Sequence, residues 1–447
     1  MELFQRILFA IVLGTVGWLI YRRIKLIRDT IRLGQPEDRT DRPSERLGTM
    51  LRVAFGQKKM FDRPLVGILH FILYAGFLLI NIEVLEIILD GLSGQHRMFA
   101  PFFGTVYHYL IDFFEFLAVA VLVVCVIFLI RRNIVRVDRL QAERHRELIG
   151  FPSVDGNLIL IFEIVLMLAI LTMNAADTVL QDMNSAHYTP TGDYMFSQFL
   201  KPLFAGWSEG GLIALERGAW WFHILGILGF ALYVTHSKHL HIALAFPNTY
   251  FARLAPRGKM ENMPAITKEV KLMLGMDTAT DAPPTEGGSD IPERFGAKDV
   301  MDLHWKNLMD AYSCTECGRC TANCPANITG KLLSPRKIMM DTRDRLEDLG
   351  RNMQANGGKV VEDGKALLGD YILVEEIMAC TTCTACVEAC PVLINPLDII
   401  LQLRRYKIMD EAQAPGSWNM MFQNMETSQA PWKFSPGDRF NWANNLK

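Results

Sequence analysis

Two cysteine runs, Cys314-x-x-Cys317-x-x-Cys320-x-x-x-Cys324-Pro325 and Cys380-x-x-Cys383-x-x-Cys386-x-x-x-Cys390-Pro391, hold eight of the nine cysteines in the chain. Thiolates are soft anionic ligands. Three of them one short turn apart can close on three corners of an iron–sulfur cubane, while the fourth, held by its proline, points away to the other cube. The spacing therefore predicts two [4Fe–4S] clusters with crossed ligation: Cys314, Cys317 and Cys320 with Cys390, and Cys380, Cys383 and Cys386 with Cys324. Zinc usually draws separated pairs, not a four-cysteine run ending in Cys-Pro. A disulfide framework suits the cytoplasmic-looking flanks still less. Cys125, the ninth, lies in an apolar stretch and reads as a packing residue.

A second set of metal-competent side chains lies where polar groups are expensive. Half of the 447 residues are apolar, and they concentrate before residue 250. Leu3–Tyr21, Leu65–Leu89, Val106–Ile130 and Leu158–Val179 read as membrane spans, and Ala219–Phe246 as a fifth that carries four histidines. The first has no small-residue cleavage site and no basic leading segment, so it reads as an uncleaved anchor. Lys and Arg collect after span one (Arg22 to Lys59) and span three (Arg131 to Arg146), while the other two loops carry few. This places the N-terminus outside and everything after Phe246 in the cytoplasm, where thiols stay reduced. The net charge of −2 gives no reason to expect a nucleic-acid partner.

An intramembrane histidine is a functional candidate by default. His223 and His241 lie eighteen residues apart. That is five turns of one helix, which would set both on one face about 27 Å apart. Matching depths then predict two b-type haems, an inner one on His70 and His241 and an outer one on His108 and His223, with His239 the substitute for His241. Bis-imidazole ligation leaves no open axial position and favours electron transfer. Asp112 and Glu115, near His108, are candidate proton acceptors for a quinol, and Glu83, Glu86 and Glu163 also fall at membrane depth.

Beyond residue 250 the chain turns polar. Residues 251–297 read as a linker, with Asp281–Asp290 its flexible part. Residues 298–410 read as a helical module around the cysteine runs, with helices expected at Lys298–Tyr312, Pro335–Leu349 and Val374–Ala379. The 55 residues between Cys324 and Cys380 are too many for a minimal two-hairpin ferredoxin. No Gly-x-Gly-x-x-Gly loop follows a strand and no phosphate-binding loop of the Walker type appears, so a bound nucleotide or flavin is not expected. The tail, 411–447, is rich in tryptophan without helical spacing and reads as packing onto the module or as a docking peptide.

Through His70, His223 and Ser237-Lys238-His239-Leu240-His241, the first half (1–250) resembles the cytochrome b (gamma) subunit of respiratory nitrate reductase. That family's other second-span histidine falls at Ile80 here, and His108 is the replacement. Through its cysteine runs the second half resembles the iron–sulfur subunits of heterodisulfide-reductase-like and anaerobic glycerol-3-phosphate-dehydrogenase-like complexes. Pro431-Trp432 and Asp438-Arg439-Phe440-Asn441-Trp442 resemble a segment that, in fused relatives, precedes cysteine-rich CCG domains. The resemblance implies a separate CCG-domain subunit docking on the tail. The expectation is an all-α protein, a five-span helical bundle followed by a cytoplasmic dicluster ferredoxin module in a bacterial or archaeal cytoplasmic membrane. It would be an electron-transfer subunit joining the quinone pool to a soluble redox partner, such as a heterodisulfide-reductase-like subunit or an electron-transferring flavoprotein. The rival expectation is a haem-free, membrane-tethered iron–sulfur redox sensor or scaffold.

Overall fold

The computed structural model describes residues 2–260, 262–276 and 294–446; the Asp281–Asp290 stretch lies outside the described residues. It is mostly helical (68%), and no strand occurs among the described residues. Five helices are long and apolar enough to cross a membrane: α1 (Glu2–Ile31), α2 (Pro64–Ser93), α3 (Thr105–Asn133), α4 (Phe151–Asp182) and α5 (Glu209–Val234). Local chemistry sets their limits. α2 opens with Pro64 in its first turn and stops where Gly94 takes φ 73° and returns its N–H to Asp90 O, a conformation that favours glycine. Ser208 Oγ caps α5 by accepting from Gly211 N at 3.2 Å. Ile87, Val121, Cys125, Leu166, Ile170 and Ile224 share the bundle core. Ile11, Leu65, Phe116, Ile161 and Phe222 stay exposed on its outside, as a lipid-facing surface requires.

The fifth span is shorter than its composition predicts. The apolar run continues to Phe246, but the helix ends at Val234 because polar groups from other helices capture the chain there. Arg23 Nε donates to Thr235 O at 3.2 Å, and Asp155 of α4 accepts from Ser237 Oγ at 2.7 Å and from Tyr233 Oη. Ser237 Oγ then accepts from His239 N at 3.1 Å and starts a new turn, which leads into α6 (His241–Tyr250). His223 and His241 therefore do not share one helix, and the five-turn argument for stacking them is corrected.

A further helix, α7 (Pro264–Met273), occupies part of what reads as linker. The cysteine runs are held among α8 (Trp305–Tyr312), α9 (Pro335–Ala355) and α10 (Pro396–Arg405). α9 starts at Pro335, with Ser334 Oγ as its cap. Leu308, Ile338, Leu346, Ile399 and Leu403 form this core together with Ile27 of α1, Leu240 of the turn before α6 and Ala245 of α6. Truncating any of its large aliphatic side chains to alanine costs about 2–5 kcal/mol. Packing thus joins α6 and the end of α1 to the cysteine module. Ion pairs fasten the same face: Arg23–Glu347 at 2.7 Å, Arg336–Glu147 at 2.8 Å and Lys238–Glu316 at 2.8 Å. In the tail, α11 (Gly416–Ser428) buries none of its residues, and Trp432, Phe434, Phe440 and Trp442 are exposed.

Candidate metal centre

The two cysteine runs fold alike. Positive φ at Glu316 and Gly318 in the first, and at Thr382 and Thr384 in the second, curls each run so that its thiols face inward. A short helix follows, Arg319–Ala322 or Ala385–Ala389, and carries the chain to Cys324-Pro325 or Cys390-Pro391. Cys314, Cys317 and Cys320 line one cavity together with Cys390, Pro391 and Ile394. Cys380 and Cys386 lie within electrostatic reach of Cys324 and Cys383. Cys390 of the second run thus sits with the first three cysteines of the first run, and Cys324 of the first run sits near Cys380 and Cys386. Backbone donors point at sulfur, Ile394 N at 3.2 Å from Cys390 Sγ and Thr382 N at 3.4 Å from Cys380 Sγ.

Burial pushes the thiols of Cys314, Cys386 and Cys390 up to about 12 and that of Cys320 well above its usual range. Such thiols keep their protons unless a metal cation replaces them, so eight soft donors in two fours, with N–H groups aimed at sulfur, fit two iron–sulfur clusters. The foursomes differ in setting. The first faces the bundle, where Arg139 Nε donates to Cys317 O at 3.0 Å. The second reaches the surface through exposed Cys383. There Arg404 donates to Cys380 O at 2.8 Å and lies over the Trp418 ring of α11 at 5.9 Å.

The histidines divide by how their ring nitrogens are engaged. His241 Nδ1 lies 2.9 Å from Lys238 O, and His223 Nδ1 3.0 Å from Leu166 O. A carbonyl only accepts, so each Nδ1 carries the proton and each Nε2 keeps a bare lone pair, the state a metal ligand needs. His70 Nδ1 is likewise held, 2.9 Å from Gln57 Oε1. Burial, reinforced by His241, Lys238 and His70 nearby, holds His239 well below the ordinary imidazole range, and its buried Nδ1 has no hydrogen-bond partner among the described residues. His70, His239 and His241 therefore cluster at the end of the bundle that meets the cysteine module.

His108 and His223 do not come together. Asn174 Nδ2 donates to Glu115 Oε1 at 3.0 Å and Asn157 Nδ2 to Asn133 Oδ1 at 3.1 Å, which fixes α3 and α4 in antiparallel register. In that register Leu166, the partner of His223, lies opposite residue 124 of α3, about sixteen residues or roughly 24 Å along the helix from His108. One iron cannot bridge that distance. His108 also spends Nε2 on Asp112 Oδ2, 3.4 Å away, and stacks on Tyr194. The outer haem expected on this pair is corrected. Glu115 and Asp112 are engaged as well: Glu115 accepts from Asn174 Nδ2, Phe196 N and Ser197 N, and Asp112 from Met195 N.

Sequence reasoning passed over Glu316, the spacer residue between Cys314 and Cys317. It is buried, and it accepts from Lys238 Nζ and Arg343 Nη2, each at 2.8 Å. Burial opposes its ionisation, but Arg343 and Lys238 outweigh burial and hold the carboxyl below its ordinary range. Lys238 also supplies the carbonyl that orients His241. A single residue therefore links the histidine cluster to the first cysteine loop.

A helical module that gathers eight cysteines packs against a bundle of five helices of membrane-spanning length, an arrangement suited to iron–sulfur clusters held at a membrane. Residues 313–394 match the model of the 4Fe-4S dicluster domain, which supports two [4Fe–4S] clusters. The chain is 29% identical to the probable iron-sulfur-binding oxidoreductase FadF of Bacillus subtilis, over 98% of this chain and 60% of that protein. It is 26% identical to the EtfAB:quinone oxidoreductase of Syntrophomonas wolfei, over 90% of this chain and 54% of that protein. Over 27% of its length it is 33% identical to one polypeptide of the ferredoxin/F(420)H(2)-dependent CoB-CoM heterodisulfide reductase of Methanosarcina acetivorans, covering 60% of that polypeptide. The chain thus spans little more than half the length of its two longest matches. No solved structure matches it.

Proposed function

We propose that this chain is a membrane electron-transfer subunit that links a quinone pool, through one b-type haem and two [4Fe–4S] clusters, to a cytoplasmic redox partner. The observation that carries this reading is the path of Lys238. Its carbonyl fixes the tautomer of His241, and its ammonium bonds Glu316 inside the first cysteine run.

His70 and His241 would hold the haem through their free Nε2 atoms, with His239 beside them. The crossed foursomes of cysteines would hold the clusters. When bound, these groups supply one-electron carriers. The chain's own work is to keep the two imidazoles neutral and aimed, to bury the thiols, and to clamp the module on the bundle. The basic loops lie on the module's side of the bundle and support a cytoplasmic module with the N-terminus outside. The name of the Syntrophomonas wolfei relative, EtfAB:quinone oxidoreductase, supports an electron-transferring flavoprotein or quinone as partners. The exposed tail beside Arg404 and Cys380 supports the docking of a separate cysteine-rich subunit next to the second foursome.

The test is optical and analytical. Purified protein should show a b-type absorption band reducible by quinol, absent in His70→Ala and His241→Ala, with about eight iron and eight sulfide per chain. A colourless bundle carrying full iron and sulfide would instead favour the tethered sensor or scaffold.

A further inference from the structure

The half of the bundle remote from the cysteine module buries several carboxylates around Arg97. Arg97, in the connection between α2 and α3, is only 5% exposed. Its Nη2 donates to Asp177 Oδ2 at 2.9 Å and to Asn174 Oδ1 at 2.7 Å, and its Nε to Asp177 Oδ2 at 3.2 Å. Nη1 remains, 4.0 Å from Glu83 Oε1, which is too long for a hydrogen bond.

The neighbouring carboxylates are well supplied with donors. Glu86 accepts from Phe99 N at 2.8 Å and from Tyr107 Oη at 2.9 Å. Glu115 has its three N–H donors. Asp177 adds Gln181 Nε2 at 3.2 Å and faces His96 Nε2 at 3.4 Å. Glu83 is 5% exposed and its buried Oε1 has no hydrogen-bond donor among the described residues. The charged groups facing it are Arg97 from the connection, Glu86 on its own helix and Glu115 from α3. One guanidinium, already spent on Asp177, does not balance a second buried carboxylate, and an ionised group left so at membrane depth costs several kcal/mol. A proton removes that charge and turns Glu83 into a donor.

Glu83, Glu86 and Asp90 follow at i, i+3 and i+7, along one face of α2. Burial relaxes along that line: the first two are buried, and Asp90, near the helix end, is partly exposed while accepting from Arg97 N at 3.0 Å and Met98 N at 2.9 Å.

We infer that Glu83 is a proton-carrying group, and that Glu83, Glu86 and Asp90 form a proton-exchange line from the bundle interior to its end remote from the cysteine module. The ligand is a proton, bound on a Glu83 oxygen and released as another carboxylate of the line takes it. No electron moves and no other bond changes, so the inference needs neither haem nor quinone.

Infrared difference spectroscopy on the full chain in liposomes tests it. The expected result is a protonated-carboxyl carbonyl band at neutral pH that Glu83→Gln abolishes, and whose shift in heavy water is slowed in Asp90→Asn. An identical band in wild type and Glu83→Gln would overturn the assignment, and an unslowed shift in Asp90→Asn would overturn the line. Should Glu83→Gln fail to fold, wild-type protein treated with dicyclohexylcarbodiimide, which couples to protonated carboxyls, decides the matter by peptide mass spectrometry. An adduct on Glu83 that declines about tenfold per pH unit above its titration point supports the assignment, and its absence, with adducts on other buried carboxyls alone, overturns it.

Discussion

Replacing Lys238 by methionine keeps most of the side-chain volume and removes the charge that joins the histidine turn to the first cysteine loop. The Lys238 side chain is 10% exposed and that of Glu316 3%. Nζ donates to Glu316 Oε2 at 2.8 Å and to Pro152 O at 2.6 Å. Removing one member of a buried ion pair costs about 3–5 kcal/mol, because the other charge stays buried. Here Arg343 still bonds Glu316 Oε1 at 2.8 Å, so roughly half of that, about 2 kcal/mol, is the reasonable expectation. At 1.36 kcal/mol per factor of ten, this corresponds to about thirtyfold more frequent opening of the loop. Hydrogen exchange of the amides in 313–320 measures it, with iron release to a chelator as a second readout. Lys238→Arg should recover most of the loss. A Lys238→Met loop that exchanges within about twofold of wild type would refute the claim that this contact holds the first cysteine loop to the bundle. Arg343→Met and the double variant sharpen the test: the two cations share one carboxylate, so their effects should not add.

His108→Ala and His223→Ala should leave the b-type band in place, since neither ring belongs to the cluster at His70 and His241; loss of the band in either variant, seen in the same spectra, would argue for a different ligand set. Cys324→Ser should disturb the cluster held by Cys380, Cys383 and Cys386 and spare the other. Electron paramagnetic resonance of the reduced protein distinguishes the two, and uncrossed ligation would reverse the result. The attachment of module to bundle should weaken in acid. Although burial opposes ionisation, Arg336 holds Glu147, Arg23 holds Glu347, and Arg343 with Lys238 holds Glu316 below the ordinary carboxylate range. A depressed carboxyl contributes its stability above the unfolded-state value, about 4.3 for glutamate, and loses it as pH falls through the folded value. Proteolysis at the junction should therefore stay flat through neutral pH and rise only below roughly pH 4.3, and a rise near pH 7 would point to histidines instead.

The cysteines were legible because ligand spacing is local: each run closes three thiols within one loop, and no distant residue is needed to recognise it. The five spans were legible because their length and apolar character suffice. What escaped depends on contacts between helices. The apolar run through Phe246 gives no sign that Asp155, about eighty residues earlier, would capture Ser237 and end the helix at Val234. Counting depth from span ends set His108 level with His223. The true register is set by Asn174 against Glu115 and Asn157 against Asn133, pairs that composition cannot match in advance. Arg97 shows the limit most sharply. In sequence it is one positive charge in a loop otherwise poor in them, an argument about orientation only. In the fold its guanidinium enters the bundle and is consumed by Asp177. The sequence could name Glu83, Glu86, Asp112, Glu115 and Glu163 as carboxylates at membrane depth, but donors from other segments decide which stays charged. Glu86, Asp112 and Glu115 receive them, and Glu83, whose buried Oε1 receives none among the described residues, is the proton's place in the proposed line.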